Sequence, residues 1–432
     1  MKRFVTVVPS AKRLMSSLRD IGYDLPAAIA DLVDNSIDAG ASRIDITLHA
    51  DAADSWVRIA DDGLGMAEGA LDEAMRYGSA GSYGPSSLGH FGLGLKTGSL
   101  SQCRRLTVAS RRAPKGRTSA RCWDLDTVTE RDSWDLDAPR SADLPRHVLE
   151  PLAGSRGTVV VWEKLDRILA FRNPDGSPAR RAMETMAADI GAHVAMVFHR
   201  FLSGEWTGGT RAVEIWINGV RVEPWDPFAR DEKMTRRLPQ QVLVLPVDEG
   251  RAAELVVEPF VLPAQTQFSS AEAHQRAAGP NRWNRQQGFY IYRRERLIQS
   301  GGWNRIRTFD EHAKLARIAI DLPLGDEDLF GINVAKMSVS MPEGVRAPLR
   351  AIASAVVQEA QRSYRELLHD PASSRDSVGL EAVSDLADHG ASDSGPSIAG
   401  DWPVILRTVT EVLADEPVRR DQVLLRLANA FG

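Results

Sequence analysis

Carboxylate and amide side chains recur at helical spacing in DLVDNSIDAG, residues 31–40. Asp31, Asn35 and Asp38 are separated by four and three residues, which places them along one face of a helix. The apolar positions of the same segment form a second stripe: Ile29, Leu32, Val33 and Ile37. Oxygen-bearing side chains in this arrangement could bind a hard cation or activate a water molecule. A polar face exposed to water is the simplest alternative for such a triplet.

A second carboxylate, Asp61, ends an apolar stretch and is followed by two glycines in IADDGLGM, residues 59–66. A strand that ends at Asp61 would hold this side chain in place, and Gly63 and Gly65 would let the backbone approach a ligand closely. An Asp-Gly pair alone also marks an ordinary surface turn.

The third chemical element is GHFGLGLKTG, residues 89–98, at the end of a segment with seven glycines between 78 and 98. Leu95 separates Gly94 from Lys96, so the spacing of a Walker A loop is absent, and GxGxxG is absent as well. A glycine-rich turn that leads into a helix from about Lys96 remains. Free backbone N–H groups at the start of such a helix can bind phosphate oxygens.

Strands and helices that would position these groups follow from the hydrophobic periodicity. Residues 26–39 and 178–203 predict helices, and a further helix is predicted from residue 347. Strands are predicted in two groups, one before residue 170 and one between about 211 and 345. The first group is SRIDITLHA, WVRIA, RRLTVAS and GTVVVWEKLD; the second is AVEIWING, QVLVLPV, ELVVEPFVL, GFYIYRRERLI, ARIAIDL and INVAKMSVSM.

Composition is that of an ordinary soluble protein, with 432 residues, 43% hydrophobic residues and a net charge of −5. The length predicts two or three domains, and the negative charge argues against a generally basic nucleic-acid-binding surface. Cys103 and Cys122 lack the spacing of a disulfide framework or a zinc site. The sequence contains neither a long apolar run nor the apolar region of a secretory signal, so we expect a cytoplasmic protein that does not associate with membranes.

Four motifs in a fixed order carry a resemblance: DLVDNSIDAGAS, DDGLGM, GHFGLGLKTGS and GTVVVW. Together they resemble the GHKL ATPases, which include type II topoisomerase ATPase domains, MutL, heat-shock chaperones and MORC proteins. The turn Leu95-Lys96-Thr97-Gly98 makes MORC and its prokaryotic relatives the most similar group. The resemblance implies an α+β fold: a GHKL (Bergerat) ATP-binding α/β sandwich followed by a transducer-like α/β domain.

This resemblance implies ATP and Mg²⁺ as cofactors. Asn35 would bind Mg²⁺, Asp61 would accept a hydrogen bond from the adenine amino group, and Thr158 would support the same ring. Residues 78–91 would close over ATP as a lid. The remaining residues implied to contact the cofactor are Asp38, Gly63, Gly65, Met66, Gly92, Leu93, Gly94, Leu95 and Lys96.

Two positions in the resemblance carry the catalytic expectations. Asp31 falls where these ATPases usually have the glutamate that polarises the attacking water, and aspartate is one methylene shorter. Slow hydrolysis, a closer helix or the use of Asp34 as the base are all compatible with this difference. Lys336, in INVAKMSVSM, resembles the transducer lysine that contacts the γ-phosphate, and a solvated loop lysine is the alternative.

The expected organisation is an ATP-binding domain over 1–175, a connecting helix over 176–210 and a transducer-like domain over 211–367. A flexible linker (368–400) and a short helical segment (401–432) follow.

The segment 275–307 contains eight arginines interspersed with aromatic residues, which suits a DNA-binding surface. Outward arginines with buried aromatics are the alternative.

We expect a slow, Mg²⁺-dependent ATPase that dimerises on ATP and acts as a MORC- or MutL-like clamp in DNA-related processes. The alternative is a hydrolysis-poor, nucleotide-gated module, or a chaperone-like protein, that recruits a partner protein through its C-terminal segment. The sequence offers no phosphoacceptor helix of a histidine kinase and no metal cluster of a nuclease.

Overall fold

A computed structural model of the chain describes residues 7–20, 23–78, 88, 94–169, 177–206, 212–248, 251–331 and 339–368. Residues Met1–Arg365 form one compact unit, and Glu366–Gly432 form a second. The predicted linker and C-terminal helices lie outside the described residues, as do Gly92, Leu93 and Lys336.

The first sheet has seven strands among the described residues, in the spatial order β4-β3-β5-β2-β1-β6-β7. Its strands are β1 (Arg43–His49), β2 (Trp56–Asp61), β3 (Arg105–Arg111), β4 (Ser119–Asp124), β5 (Gly157–Glu163), β6 (Glu214–Ile217) and β7 (Val220–Arg221). β1 and β6 are parallel, and the other neighbours are antiparallel. Asp61 at the end of β2 pairs with Ile44 of β1 and Thr158 of β5.

Helices precede, interrupt and follow these strands. They are α1 (Ala11–Arg19), α2 (Leu25–Asp38), α3 (Glu68–Met75), α4 (Leu125–Arg131), α5 (Arg146–Leu149), α6 (Ser177–Val197) and α7 (His199–Ser203). The predicted helix over 178–203 is therefore divided at Phe198, whose backbone leaves the helical region. Where a helix was predicted from about Lys96, the structure has a π-helical turn, Gly94–Gly98, that continues into a short helical stretch.

The second sheet has six strands within the described ranges, in the order β12-β11-β13-β10-β8, with β9 also paired to β10. They are β8 (Arg236–Arg237), β9 (Gln241–Asp248), β10 (Arg251–Val261), β11 (Gly288–Arg293), β12 (Arg296–Ser300) and β13 (Ala316–Asp321). Helices α8 (Ala271–Ala278) and α9 (Arg282–Arg285) lie between β10 and β11, and α10 (Glu343–Leu368) follows the sheet.

The boundary predicted at residue 211 does not separate the two sheets. AVEIWING, expected in the second domain, contains β6, and this strand pairs in parallel with β1 of the first sheet. The connecting helix α6 lies against α2 and β1, so the chain returns to the first sheet before it enters the second. The fold therefore combines two β-sheets with helices, and its class is α+β.

Apolar burial is densest in the middle of the first sheet. Every residue of β5 except the last is buried, so this strand is covered on both faces. One face packs Val159 and Val161 against Val148 and Leu152 of the segment around α5. Strands β2 and β5 are thereby held rigidly, which fixes the position of Asp61 at their shared end.

Candidate functional site

Helix α2 divides the polar triplet between the protein interior and its surface. Asp24 caps the helix, because its carboxylate accepts a hydrogen bond from the Ala27 N–H at 2.8 Å. Asp31 is only 5% exposed, whereas Asn35 and Asp38 are exposed. The solvated face proposed as the simple alternative therefore describes the last two side chains and not Asp31.

Asp31 is held between a tyrosine and the glycine-rich turn. Its carboxylate accepts a hydrogen bond from the buried Tyr23 hydroxyl, and burial together with the Asp31 charge raises the pKa of that hydroxyl. On the other side, a Cβ added at Gly94 would lie only 2.7 Å from Oδ2 of Asp31. The backbone of the turn thus lies close against the carboxylate.

Asp61 is surrounded by hydrogen-bond donors. Oδ1 accepts from the N–H groups of Gly63 at 2.9 Å and Thr158 at 3.2 Å, and Oδ2 accepts from the Ser36 hydroxyl at 3.0 Å. A carboxylate has about four lone-pair positions, so one on Oδ2 has no donor among the described residues. That position suits an amino group such as that of adenine. Burial raises the pKa of Asp61 from 3.8 to about 6, despite these three hydrogen bonds.

Ser36 and Ser110 belong to this site and were missed from the sequence. Ser36 is a buried serine within the apolar stripe of α2. A polar residue among these apolar positions is the sequence signal that could have identified it. The Ser110 hydroxyl accepts the Met66 N–H at 2.8 Å and lies 2.9 Å from the Thr158 hydroxyl. Thr158 therefore contacts Asp61 through its backbone, while its side chain is joined to Ser110.

Two glycines allow the backbone around Asp61 to adopt this shape. Gly65 has φ +64°, and a Cβ there would lie 2.2 Å from the carbonyl oxygen of Arg111. Gly157, which begins β5, has φ +140°, and its Cβ would lie 1.8 Å from the Asp61 carbonyl oxygen. Any larger residue at either position would push the strand ends apart. Gly63 was predicted with Gly65, whereas Gly157 was not singled out.

Lys96 has a partner other than the predicted phosphate. Its side chain is buried, and the ammonium donates to the Ala74 carbonyl at the end of α3, at 2.9 Å. Burial lowers the pKa of Lys96 to about 8. A contact with phosphate would require the side chain to leave this carbonyl. Leu95, beside it, is half-buried.

The residues expected to form a lid, 78–91, lie largely outside the described ranges, with Gly78 and Leu88 as the exceptions. Leu88 contacts α2. Its N–H donates to the Asp38 carboxylate at 2.8 Å, and its side chain is buried. Asp38 therefore holds Leu88 against the end of α2.

No group of three or more His, Cys, Asp or Glu side chains among the described residues could hold a metal ion. A Mg²⁺ ion at this site would depend on a single amide oxygen from Asn35, with phosphates and waters completing its octahedron. Mg²⁺ is usually bound in this way next to nucleotides. The exposed position of Asn35, one helical turn from Asp31, fits that arrangement.

The alternative predicted for the segment 275–307 was outward arginines with buried aromatic residues. Its aromatic residues are indeed mostly buried. Phe289, Tyr290, Tyr292 and Trp303 are buried in the second sheet, so they offer no rings for stacking on bases. Arg276, Arg282, Arg285 and Arg305 are exposed. Arg293 and Arg296, in contrast, are buried.

The site thus combines a carboxylate at a strand end, Asp61, with a polar helix beside a glycine-rich turn, where Asp31 of α2 meets Gly94. Residues 23–154 match the family model described as histidine kinase-, DNA gyrase B- and HSP90-like ATPase. This part of the chain belongs to the GHKL ATPase superfamily. The match ends before β5, so Thr158 and the second sheet lie beyond it.

Curated relatives include DNA mismatch repair proteins and a MORC ATPase. MutL of Rhodospirillum rubrum is 39% identical over 208 residues, which cover 46% of this chain and 28% of that protein. ATPase morc-1 of Caenorhabditis elegans is 27% identical over 175 residues, 33% of this chain and 20% of the relative. MutL of Acidiphilium cryptum is 26% identical over 256 residues, which cover 57% of this chain and 38% of that protein. The chain thus spans well under half the length of each of these relatives.

Within the described part of the chain, no helix combines the length and the apolar character needed to cross a membrane.

Proposed function

We propose that this chain is a Mg²⁺-dependent ATPase that dimerises on ATP and acts on DNA as a conformational switch. The observation that carries the proposal is the environment of Asp61, which leaves one acceptor position for a purine amino group. In the proposed arrangement, Asn35 binds the metal ion, which neutralises phosphate charge. Asp31 accepts a proton from the attacking water, and Tyr23 and Gly94 fix its carboxylate.

ATP turnover and oligomeric mass, measured with and without DNA, test this proposal. We expect Asp31→Ala to dimerise on ATP without turning it over, and Asn35→Ala to fail at both. Asp143→Ala is a matched control, because Asp143 is exposed and pairs only locally with Arg140 among the contacts described. Absence of turnover by the unaltered chain under every condition would contradict the enzymatic proposal. Unchanged turnover in Asp31→Ala would contradict the assignment of the base.

A nucleotide-gated binding module is the second candidate, and Asp31 favours it. A short carboxylate that already accepts a hydrogen bond from Tyr23 is a weaker base than a longer, freely placed one. This candidate predicts ATP-dependent dimerisation in the unaltered chain with turnover no higher than in Asp31→Ala. The same assay therefore separates the two.

DNA contact is proposed through the exposed arginines on α8 and α9. Neutralising Arg282 and Arg285 together should weaken DNA binding for all sequences and reduce the slope of log K against log salt by about two. Arg140 and Arg146 provide a matched double control, because both are exposed and lie in or just before α5, between β4 and β5 of the first sheet. An unchanged slope in the Arg282/Arg285 variant would remove this surface from the proposal.

A further inference from the structure

The hairpin between β11 and β12 brings two buried arginines from the second sheet to helix α2. Its tip is formed by Arg294 and Glu295, with φ +51° and +66°. Two-residue hairpin turns of this geometry usually contain Asn and Gly, because other side chains are strained there. Contacts with neighbouring helices hold the strained tip: Arg200 of α7 donates to the Glu295 carboxylate at 2.8 Å.

Arg296, the first residue of β12, forms an ion pair with Asp34 in the middle of α2. The Arg296 Nε atom lies 2.9 Å from Asp34 Oδ1, and the two side chains are 4% and 0% exposed. Taking two charges out of water is costly, and apolar residues of similar volume would often be as stable. Unlike an apolar contact, which can slide, a directed ion pair fixes the position of one element against another.

Arg293, on the other side of the tip, makes a second connection. Its guanidinium donates to the Leu88 carbonyl at 3.1 Å, and the Leu88 N–H donates to the Asp38 carboxylate at 2.8 Å. The hairpin therefore reaches α2 at Asp34 directly and at Asp38 through Leu88. These two positions are one helical turn apart, and Asn35 lies between them.

We propose that Arg296 is a positioning residue for ATP hydrolysis. Arg296 holds Asp34, and thereby sets the placement of α2 and of the Asp31 and Asn35 side chains that the helix presents to the phosphates. The inference rests on the proposed function, because it assigns these two side chains to the base and the metal. Adenine recognition by Asp61 depends less on this ion pair, since two of the three Asp61 donors, Gly63 and Thr158, belong to the first sheet and its loops, and only Ser36 belongs to α2.

The Arg296 charge also reaches the residue that holds the base. The Tyr23 hydroxyl, bonded to Asp31, is close enough to Arg296 for the arginine to oppose the rise in the pKa of Tyr23. The hydrogen-bonded pair of Asp31 and Tyr23 is therefore within the electrostatic influence of the buried Asp34–Arg296 ion pair. The cation of this ion pair, Arg296, belongs to the second sheet.

Three variants test the proposal: Arg296→Met, the double change Asp34→Asn with Arg296→Met, and Arg317→Met as the matched control. Arg317 is also a buried arginine of the second sheet, but its guanidinium donates to the carbonyls of Pro227 and Ala277, away from α2. Each variant is measured for ATP turnover, for ADP affinity without and with Mg²⁺, for unfolding midpoint and for hydrogen exchange of the α2 amides.

We expect Arg296→Met to lower kcat by roughly ten- to a hundredfold, because small misplacements of reacting groups have effects of this size. ADP affinity without Mg²⁺ should stay within about twofold, while the gain in affinity from Mg²⁺ is lost and α2 exchanges faster. The double variant leaves no buried charge without its partner, so it should recover the unfolding midpoint but not kcat. Arg317→Met should lose stability and keep kcat.

Recovery of kcat together with stability in the double variant would show a merely structural role and overturn the inference. Unchanged kcat in folded Arg296→Met would do the same. Failure of the proposed function is distinguishable, because the unaltered chain itself would then show no turnover. In that case, the Mg²⁺-dependent gain in ADP affinity and the α2 exchange still test whether Arg296 positions the helix.

Discussion

Replacing Asp61 by asparagine should stabilise the nucleotide-free chain at neutral pH while it weakens adenine recognition. Burial raises the pKa of Asp61 from 3.8 to about 6, so the folded state holds the proton more tightly than the unfolded state. Stability therefore falls as pH rises through this window, and the ionised side chain opposes folding at pH 7. A shift of about two units corresponds to about 3 kcal/mol. The asparagine side chain does not titrate, so the variant would avoid this loss.

An asparagine fits the donors that surround Asp61. Its amide oxygen can accept from the N–H groups of Gly63 and Thr158, and its NH₂ group can donate to the Ser36 oxygen. The Ser36 hydroxyl would then donate to the Leu32 carbonyl, which lies at 3.1 Å. The adenine amino group, however, would meet an NH₂ group, and an unsatisfied donor costs about 1 to 3 kcal/mol. This corresponds to a loss of roughly ten- to a hundredfold in affinity.

Denaturant unfolding between pH 4 and pH 8, with nucleotide titration at pH 7.5, measures both effects. The stability gain of Asp61→Asn should be largest above pH 6 and should vanish near pH 4, where Asp61 is protonated. Asp62→Asn is the control of opposite sign, because hydrogen bonds from Ser42 and Arg43 outweigh its partial burial and hold the pKa of Asp62 below its ordinary value. The Asp62→Asn variant should therefore be less stable than the unaltered chain above pH 4. A pH-independent gain or loss in Asp61→Asn would refute the reasoning.

Three further substitutions probe the same pocket. Tyr23→Phe removes the hydroxyl that holds Asp31 and should lower kcat with little change in KM; an equal loss in KM would contradict a role confined to the base. Gly94→Ala places a methyl group against the Asp31 carboxylate, so steady-state turnover should fall by roughly tenfold or more while ADP binding persists. Ser36→Ala removes one donor from Asp61 and should raise its pKa further, which an upward shift in the acid limb of ATP binding would reveal.

The part of the site predicted from the sequence is the part that local patterns determine. Hydrophobic spacing predicted α2 at 26–39, close to its observed bounds Leu25–Asp38, and alternation predicted the strands that carry Asp61 and Thr158. The position of Asp61 at a strand end could be predicted from the apolar stretch before it and the glycines after it, because neither depends on the rest of the fold. The order of the motifs then indicated the GHKL superfamily, to which residues 23–154 belong.

Contacts between distant segments could not be predicted in this way. Tyr23 and Ser36 act through side chains whose partners, Asp31 and Asp61, are set by tertiary packing, and the sequence pattern does not name these partners. The family resemblance implies that Lys96 contacts phosphate, but its ammonium donates to the Ala74 carbonyl at the end of α3. The parallel pairing of β6 with β1 joins segments about 170 residues apart.

The location of Asp34 supports Asp31 as the proposed base rather than Asp34. Asp34 lies three residues after Asp31 on α2, and the sequence allowed either to accept a proton from water. The structure gives Asp34 no exposed surface and pairs it with Arg296, so an attacking water cannot reach it without breaking a buried ion pair. Asp31 is the member of the two that faces the glycine-rich turn, at Gly94. Two aspartates of one helix therefore have separate proposed tasks: Asp31 contacts the site of the phosphates, and Asp34 connects that helix to the second sheet.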